Sequence, residues 1–266
     1  MGARIELSVL EFDVLWEHLR LGAPPPVLDV ASHGATLDER AELADQVWES
    51  LAQRELGWPG QVDDRVRIRL RMLAQPEWEL DARIQLDARS PQTRALIAAN
   101  RTDATVAIRH ATRVRLHTVP AERIIREALA LLPAHPPGTG TSITLPAQTL
   151  DAAAARAGTS PDALARALAS QGLGHAEAQK IADVAGNVIR FGHFGAARTR
   201  RGEQRRRAGH VVSVYDTHQR RYLFTRKSSG GTPWVTLLPG TEAAVTRQLN
   251  ELLAELGRPV DQPVTR

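Results

Sequence analysis

The chain contains no cysteine. That excludes disulfides, thiolate zinc sites and cysteine nucleophiles, and it fits a reducing cytoplasm. Lysine is nearly absent too: Lys180 and Lys227 are the only two among 34 basic residues, which leaves 32 arginines (34 − 2 = 32). Such a bias matches the codon usage of a GC-rich genome better than a binding signature. Hydrophobic residues make up 42% of the chain, yet no run approaches a membrane span, which needs about 20 apolar residues. Met1 to Glu6 is polar, and the apolar segment behind it carries Glu11, Asp13 and Glu17, which argues against a secretory leader.

The familiar catalytic signatures are also missing. There is no G-x-x-x-x-G-K-[ST], no H-E-x-x-H and no G-x-S-x-G. Gly138-Thr139-Gly140 follows a proline-rich stretch instead of a strand, so it is no dinucleotide fingerprint and no cofactor is expected. The nine histidines are scattered. His110, His117, His193 and His210 read as surface or satisfied residues, because a metal site needs several converging ligands. Asp63-Asp64 sits at a helix start, where it caps the helix and favours its dipole. No catalytic residue and no metal site are assigned.

What is present is a rhythm of short strands. His210 to Pro239 reads as three of them: Val211 to Tyr215, Arg221 to Thr225 and Trp234 to Leu238. Asp216 to Gln219 supplies the first turn and Ser228 to Gly231 the second, where glycines can take positive φ. Asn187 to Ala197 precedes them as a further strand. Earlier, Trp78 to Leu86 alternates apolar and polar at every step, the mark of a strand with one buried face. Arg94 to Ala99, Thr105 to Arg109 and Arg113 to Val119 follow it. Each meander ends in a proline and then a helix. The two prolines lie 119 positions apart (239 − 120 = 119).

Helices precede each meander. Ser8 and Glu11 form a capping box for a helix ending at Gly22, and Thr36 with Glu39 a second for one ending near Gly57. Asp63 to Leu73 is a third. Pro120 opens the helix bearing Ile124, Ile125, Ala128, Leu131 and Leu132. In the second half, Leu150 to Ala157, the segment capped by Ser160-Pro161, and His175 to Ala185 are helical, and Thr241 opens the last helix, ending at Gly257. The order helices, meander, helix therefore occurs twice. The expected division is 1–132, a proline–glycine linker at 133–146, 147–257, and a frayed tail at 258–266. The two halves form one globular unit.

The loop Arg198 to Arg207 holds six arginines in ten residues, and like charges keep it from collapsing. It is a solvated hairpin loop, a contact for an acidic protein, or a phosphate contact. Against the last, no aromatic residue interleaves for base stacking. Trp234 and Tyr222 are core residues, or interface anchors if one sheet face is open. The strands of the second meander are apolar on both faces: Val212 and Val214 on one, Val211 and Tyr215 on the other. Both faces are then covered, either by flanking helices or, on one side, by a partner. A partner surface is expected at Val212, Val214 and Trp234, with Arg205, Arg207, Arg226 and Lys227 steering acidic groups at the rim.

Several strings, taken in order, are similar to the EspG family, the ESX (type VII) secretion-associated proteins of mycobacteria and related actinomycetes. They are the opening helix of Leu7 to Leu21, Leu131-Leu132-Pro133 before the linker, Gly140 to Pro146, and Phe191-Gly192-His193-Phe194-Gly195-Ala196. The Asp216 to Tyr222 hairpin and Trp234 to Pro239 complete the set. The hairpin carries Arg220 and Arg221 before its tyrosine, where the family pattern has a Gly-Arg pair.

The resemblance implies an α+β fold: a central antiparallel sheet with flanking helical bundles and a pseudo-two-fold internal duplication. It implies a cytoplasmic chaperone, not an enzyme, that binds the apolar tip of a PPE-type protein in a PE–PPE heterodimer and delivers it for export. On that reading there is no nucleic-acid partner and no membrane insertion, and the free chain is a monomer or weak homodimer. Two readings compete with it: a nucleic-acid-binding protein using the Arg198 to Arg207 loop, and an enzyme with a site around His193 and Asp216.

Overall fold

A computed structural model describes residues 4–200 and 202–258. Arg201 and most of the tail expected to fray lie outside the described residues. The chain divides into two compact units. The first comprises Met1–Arg83, Pro91–Ala128 and Ala197–Arg206, the second Ile84–Ser90, Leu129–Ala196 and Arg207–Arg266.

The first unit opens with strand β1 (Ile5–Ser8), which the sequence reading missed, then helices α1 (Val9–His18) and α2 (Leu37–Gln53). A small hairpin, β2 (Gly57–Trp58) and β3 (Gln61–Val62), leads to α3 (Asp64–Ala74). The meander follows as β4 (Trp78–Gln85), β5 (Thr93–Ala99), β6 (Asp103–His110) and β7 (Arg113–Pro120). After one 3-10 turn, α4 (Ile124–Leu129) closes the unit.

Ser8 begins α1 as expected: its hydroxyl accepts the Glu11 N–H at 3.0 Å, and its own N–H donates to the Glu11 carboxylate at 2.7 Å. Glu11 is only 5% exposed, and it also takes the Ser50 hydroxyl and the Arg54 guanidinium from α2 and its end. One carboxylate thus caps α1 and ties α2 to it. At the second expected box only half forms, because the Glu39 carboxylate accepts from Ala35 N–H instead of from Thr36. Asp63 caps α3, accepting from Arg65 N–H.

Strand order is β1-β7-β6-β5-β4. Paired residues share a face, so Ile5, Leu116, Ala107 and Leu96 form one apolar row across four strands. All four are buried, in one core with Phe12 and Leu15 of α1, Val47 and Leu51 of α2, and Val66 and Leu70 of α3.

The second unit repeats the order. Strand β8 (Ile143–Pro146) is followed by α5 (Ala147–Ala157), α6 (Pro161–Ser170) and α7 (His175–Gly186). Then come β9 (Val188–Arg198), the two-residue β10 (Arg206–Arg207), β11 (Val212–Thr217), β12 (Arg221–Ser229), β13 (Thr232–Pro239) and α8 (Glu242–Ala254). Strand order is β9-β11-β12-β13-β8, with β10 on β9. In both units the short opening strand pairs antiparallel with the last strand of its meander, β1 on β7 and β8 on β13. The two opening strands, IELS and ITLP, share one burial pattern. This is the α+β antiparallel architecture with internal duplication that the sequence implied.

Some boundaries differ from expectation. The last hairpin is tighter than Ser228 to Gly231: its strands pair as far as Ser229 and Thr232. Gly230 and Gly231 alone make the turn, at φ +58° and +79°, the double positive φ that a two-residue hairpin demands. Helix α1 stops at His18, and α4 stops at Leu129, short of Leu131 and Leu132. The proline–glycine stretch runs along β12, where Arg221 N–H donates to the Pro136 carbonyl at 2.7 Å and Gly138 N–H to the Arg221 carbonyl at 2.6 Å.

Candidate functional site

The row that is fully buried in the first unit changes character in the second. From the edge inward it reads Ile143, Leu237, Phe224, Ser213, His193, each paired with the next. Helices α5, α6 and α7 cover its outer end, and Ile143 and Leu237 are buried there with Leu164, Leu168 and Ile181. Its inner end is only half covered. Phe224, Tyr215, His193 and Phe191 are all partly exposed. They form a continuous aromatic strip: Phe224 to Tyr215 at 6.3 Å, Tyr215 to His193 at 6.0 Å and His193 to Phe191 at 5.1 Å between ring centroids.

Between this strip and the helices lies a cavity of about 400 Å³. Tyr215, Phe224 and Leu237 floor it, and Leu150 and Ala154 of α5 with Ile181 and Val184 of α7 wall it. At its rim Arg226 of β12 is paired with Asp151 of α5, with Nη1 at 3.2 Å from Oδ1. Burial raises the Tyr215 phenol above its ordinary range, so it stays neutral. His193 Nδ1 lies 2.9 Å from the Ser213 hydroxyl. A half-open apolar trough with aromatic rings and few ionised groups suits the capture of another chain's apolar side chains. Among the described residues, no group of histidines and carboxylates could hold a metal ion.

Residues 8–251 match the EspG family. The chain belongs to the EspG family. No curated protein matches it significantly. Among solved structures, it is similar to a chain in the structure of the Mycobacterium tuberculosis type VII secretion system chaperone EspG5 in complex with the PE25–PPE41 dimer. The TM-score is 0.78 at 15% identity, over 95% of this chain and 96% of that one.

The partner residues expected from the sequence fall in four places of this EspG-family chain. Arg226 stands at the trough's rim. Val212 and Val214 lie on the opposite sheet face, 0% and 1% exposed, on the strand against which α8 packs. Lys227 lies on that face as well, held by Gln248 and Glu251 of α8. Trp234 is the cross-strand neighbour of Lys227 and is 37% exposed. Arg205 belongs to the first unit, where it grips Glu79 through two hydrogen bonds of 2.8 and 2.7 Å. Arg207 is exposed on β10.

The arginine loop is less free than its charge suggested. Besides Arg205, Arg198 stacks 4.0 Å over the Trp78 ring and bonds Glu77 at 3.1 Å. Two of its six arginines are thus neutralised within the first unit, which reduces the charge it could offer a phosphate backbone. The enzyme reading fares no better. His193 and Asp216 point to opposite faces by register, and Asp216 is clamped by Arg221 at 2.7 and 2.9 Å.

Some residues of the aromatic strip were visible in the sequence, while Phe224 and Ile181 were not singled out. Phe191 and His193 belong to a string noted above, and Tyr215 stands on the face opposite Val212 and Val214. The missing information was which face α8 would occupy.

Proposed function

We propose that this chain is a type VII secretion chaperone that binds a PPE-type protein within a PE–PPE heterodimer. The family match across residues 8–251 carries the reading. The similar chaperone EspG5 was solved in complex with a PE25–PPE41 dimer, and this supports the choice of partner. Binding keeps an apolar tip out of water and directs the pair to export. The role is stoichiometric and non-enzymatic, and it is exercised in the cytoplasm by a free chain that is a monomer or weak homodimer. Among the described residues, no helix is long and apolar enough to cross a membrane.

The docking site proposed is the trough of the second unit, with Phe224, Tyr215, Ile181 and Leu150 receiving the partner's apolar residues and Arg226 at the rim. Burying such surface contributes roughly 25 cal/mol per Å², and the exposed strip offers that surface without repacking a core. Co-expression with a PE–PPE pair from the same genome should yield one soluble complex of all three chains on gel filtration. A pair that stays insoluble, with no complex eluting, refutes the proposal.

A further inference from the structure

We propose that Lys180 and Arg220 form a carboxylate-reading subsite at one end of the trough, so that the docking segment of the partner carries an Asp or Glu beside its apolar residues. The inference rests on the docking reading above and names the chemistry of the partner there. A second cavity of about 300 Å³ adjoins the apolar one. Both are lined by Val184, and Tyr222 of the second is the cross-strand partner of Tyr215 in the first. Its walls are polar: Lys180, Asp183 and Asn187 from α7 and its end, and His218 and Arg220 from the β11–β12 turn.

The two cations there lack what their neighbours have. Arg221 is paired with Asp216, Arg226 with Asp151 and Lys227 with Glu251. Lys180 and Arg220 have no carboxylate partner among the described residues. The Lys180 ammonium stands 4.8 Å over the Tyr222 ring, and Arg220 reaches only the Pro137 carbonyl, at 3.4 Å. The one acidic group of the cavity, Asp183, accepts a hydrogen bond from Gln179 at 2.9 Å. The turn is also pre-formed. Thr217 N–H donates to the Arg220 carbonyl at 2.9 Å, and the Thr217 hydroxyl accepts Arg220 N–H at 3.1 Å. Two cations set on rigid elements beside an apolar trough complement a segment that is apolar with an acid at one end.

The probe is a PE–PPE pair from the same genome, titrated against the full chain at low and high salt. Lys180→Glu with Arg220→Glu should weaken binding about tenfold at low salt and flatten its salt dependence. Lysine placed at the matching acidic position of the partner should restore it. Phe224→Glu, which blocks the trough, should abolish binding, while Arg247→Glu on α8, a control for bulk charge, should not change it. Circular dichroism checks that each variant folds. If Phe224→Glu abolishes binding but the double reversal leaves affinity and salt slope unchanged, this inference falls and the docking reading stands. If Phe224→Glu has no effect, or the wild type binds no such pair, both fall.

Discussion

Replacing Asp216 by alanine tests how the second unit holds its hairpin. The Asp216 side chain is 3% exposed and that of Arg221 10%. Two charge-assisted hydrogen bonds join them, at 2.7 and 2.9 Å. Arg221 also donates to the Pro133 carbonyl at 2.7 Å, and Arg190 stands 3.8 Å from the same carboxylate. Without Asp216 a buried guanidinium has no counter-charge. Each charge-assisted bond is worth about 1.5–3 kcal/mol, and breaking one side of a buried pair costs about 3–5 kcal/mol. The expected loss is therefore about 4 kcal/mol, or roughly 10 °C in melting temperature. The double replacement Asp216→Leu with Arg221→Met removes both charges together and should lie within about 2 kcal/mol of wild type. Urea denaturation followed by circular dichroism gives both values. A single-variant loss below about 1 kcal/mol, or a double variant as poor as the sum of its singles, refutes the reasoning.

Four further outcomes follow from other contacts. A Cβ built at Gly138 would lie 2.3 Å from the Tyr222 ring, so Gly138→Ala should cost about 1–3 kcal/mol of stability in urea melts. Phe12 is fully buried and stacks on Trp16 at 5.1 Å, so Phe12→Ala should cost about 3–5 kcal/mol in the same assay. Glu79→Ala removes the carboxylate that holds Arg205 by two bonds; trypsin should then cut between positions 198 and 207 faster than in wild type, and an unchanged rate would count against the clamp. Burial, and then the charge of Lys227, lower the His210 pKa from 6.5 despite Glu255. A histidine that resists protonation when folded lets the unfolded state gain the proton first, so stability should fall as pH drops below about 6.5. His210→Gln should flatten that fall when melts at neutral and mildly acidic pH are compared.

How far the fold was legible depends on whether a signal was local. Caps were readable because a Ser oxygen and a Glu carboxylate three residues on meet by helix geometry alone, and Ser8–Glu11 does so. Long strands showed through alternation, as in Trp78 to Gln85, although Glu79 and Asp81 on the face expected to be open are buried too. Strands β1 and β8 were missed because four residues are too few to show a period, and each exists only by pairing with a strand far along the chain. The arginine loop was read from net charge, but its behaviour is set by Glu79 on β4 and by Glu77 just before it. Its partners are remote in sequence, so no window over the loop could contain them.

Which face of the second meander stays open turned on a single binary choice. Alternation along β11 separates Val212 and Val214 from Ser213 and Tyr215 without error. It does not say which set faces a helix of the same chain. Helix α8 takes the valine side, where Val245, Leu249 and Leu252 are buried beside Gln248. The other side receives three short helices whose apolar residues are many of them alanine: Ala147, Ala153, Ala165, Ala178 and Ala182. Small side chains let these helices settle close over Ile143 and Leu237 but fill little volume beyond them. The first unit covers the matching face with Phe12, Leu15, Trp16, Trp48, Leu51 and Leu70 and leaves its row closed. Alanine against leucine and tryptophan, on helices in the same order, is the physical difference between a closed core and an open trough. Filling that volume, for example with Ala154→Trp on α5, should close the trough and abolish partner capture while stability holds or rises; unimpaired capture by a folded variant would place the partner elsewhere.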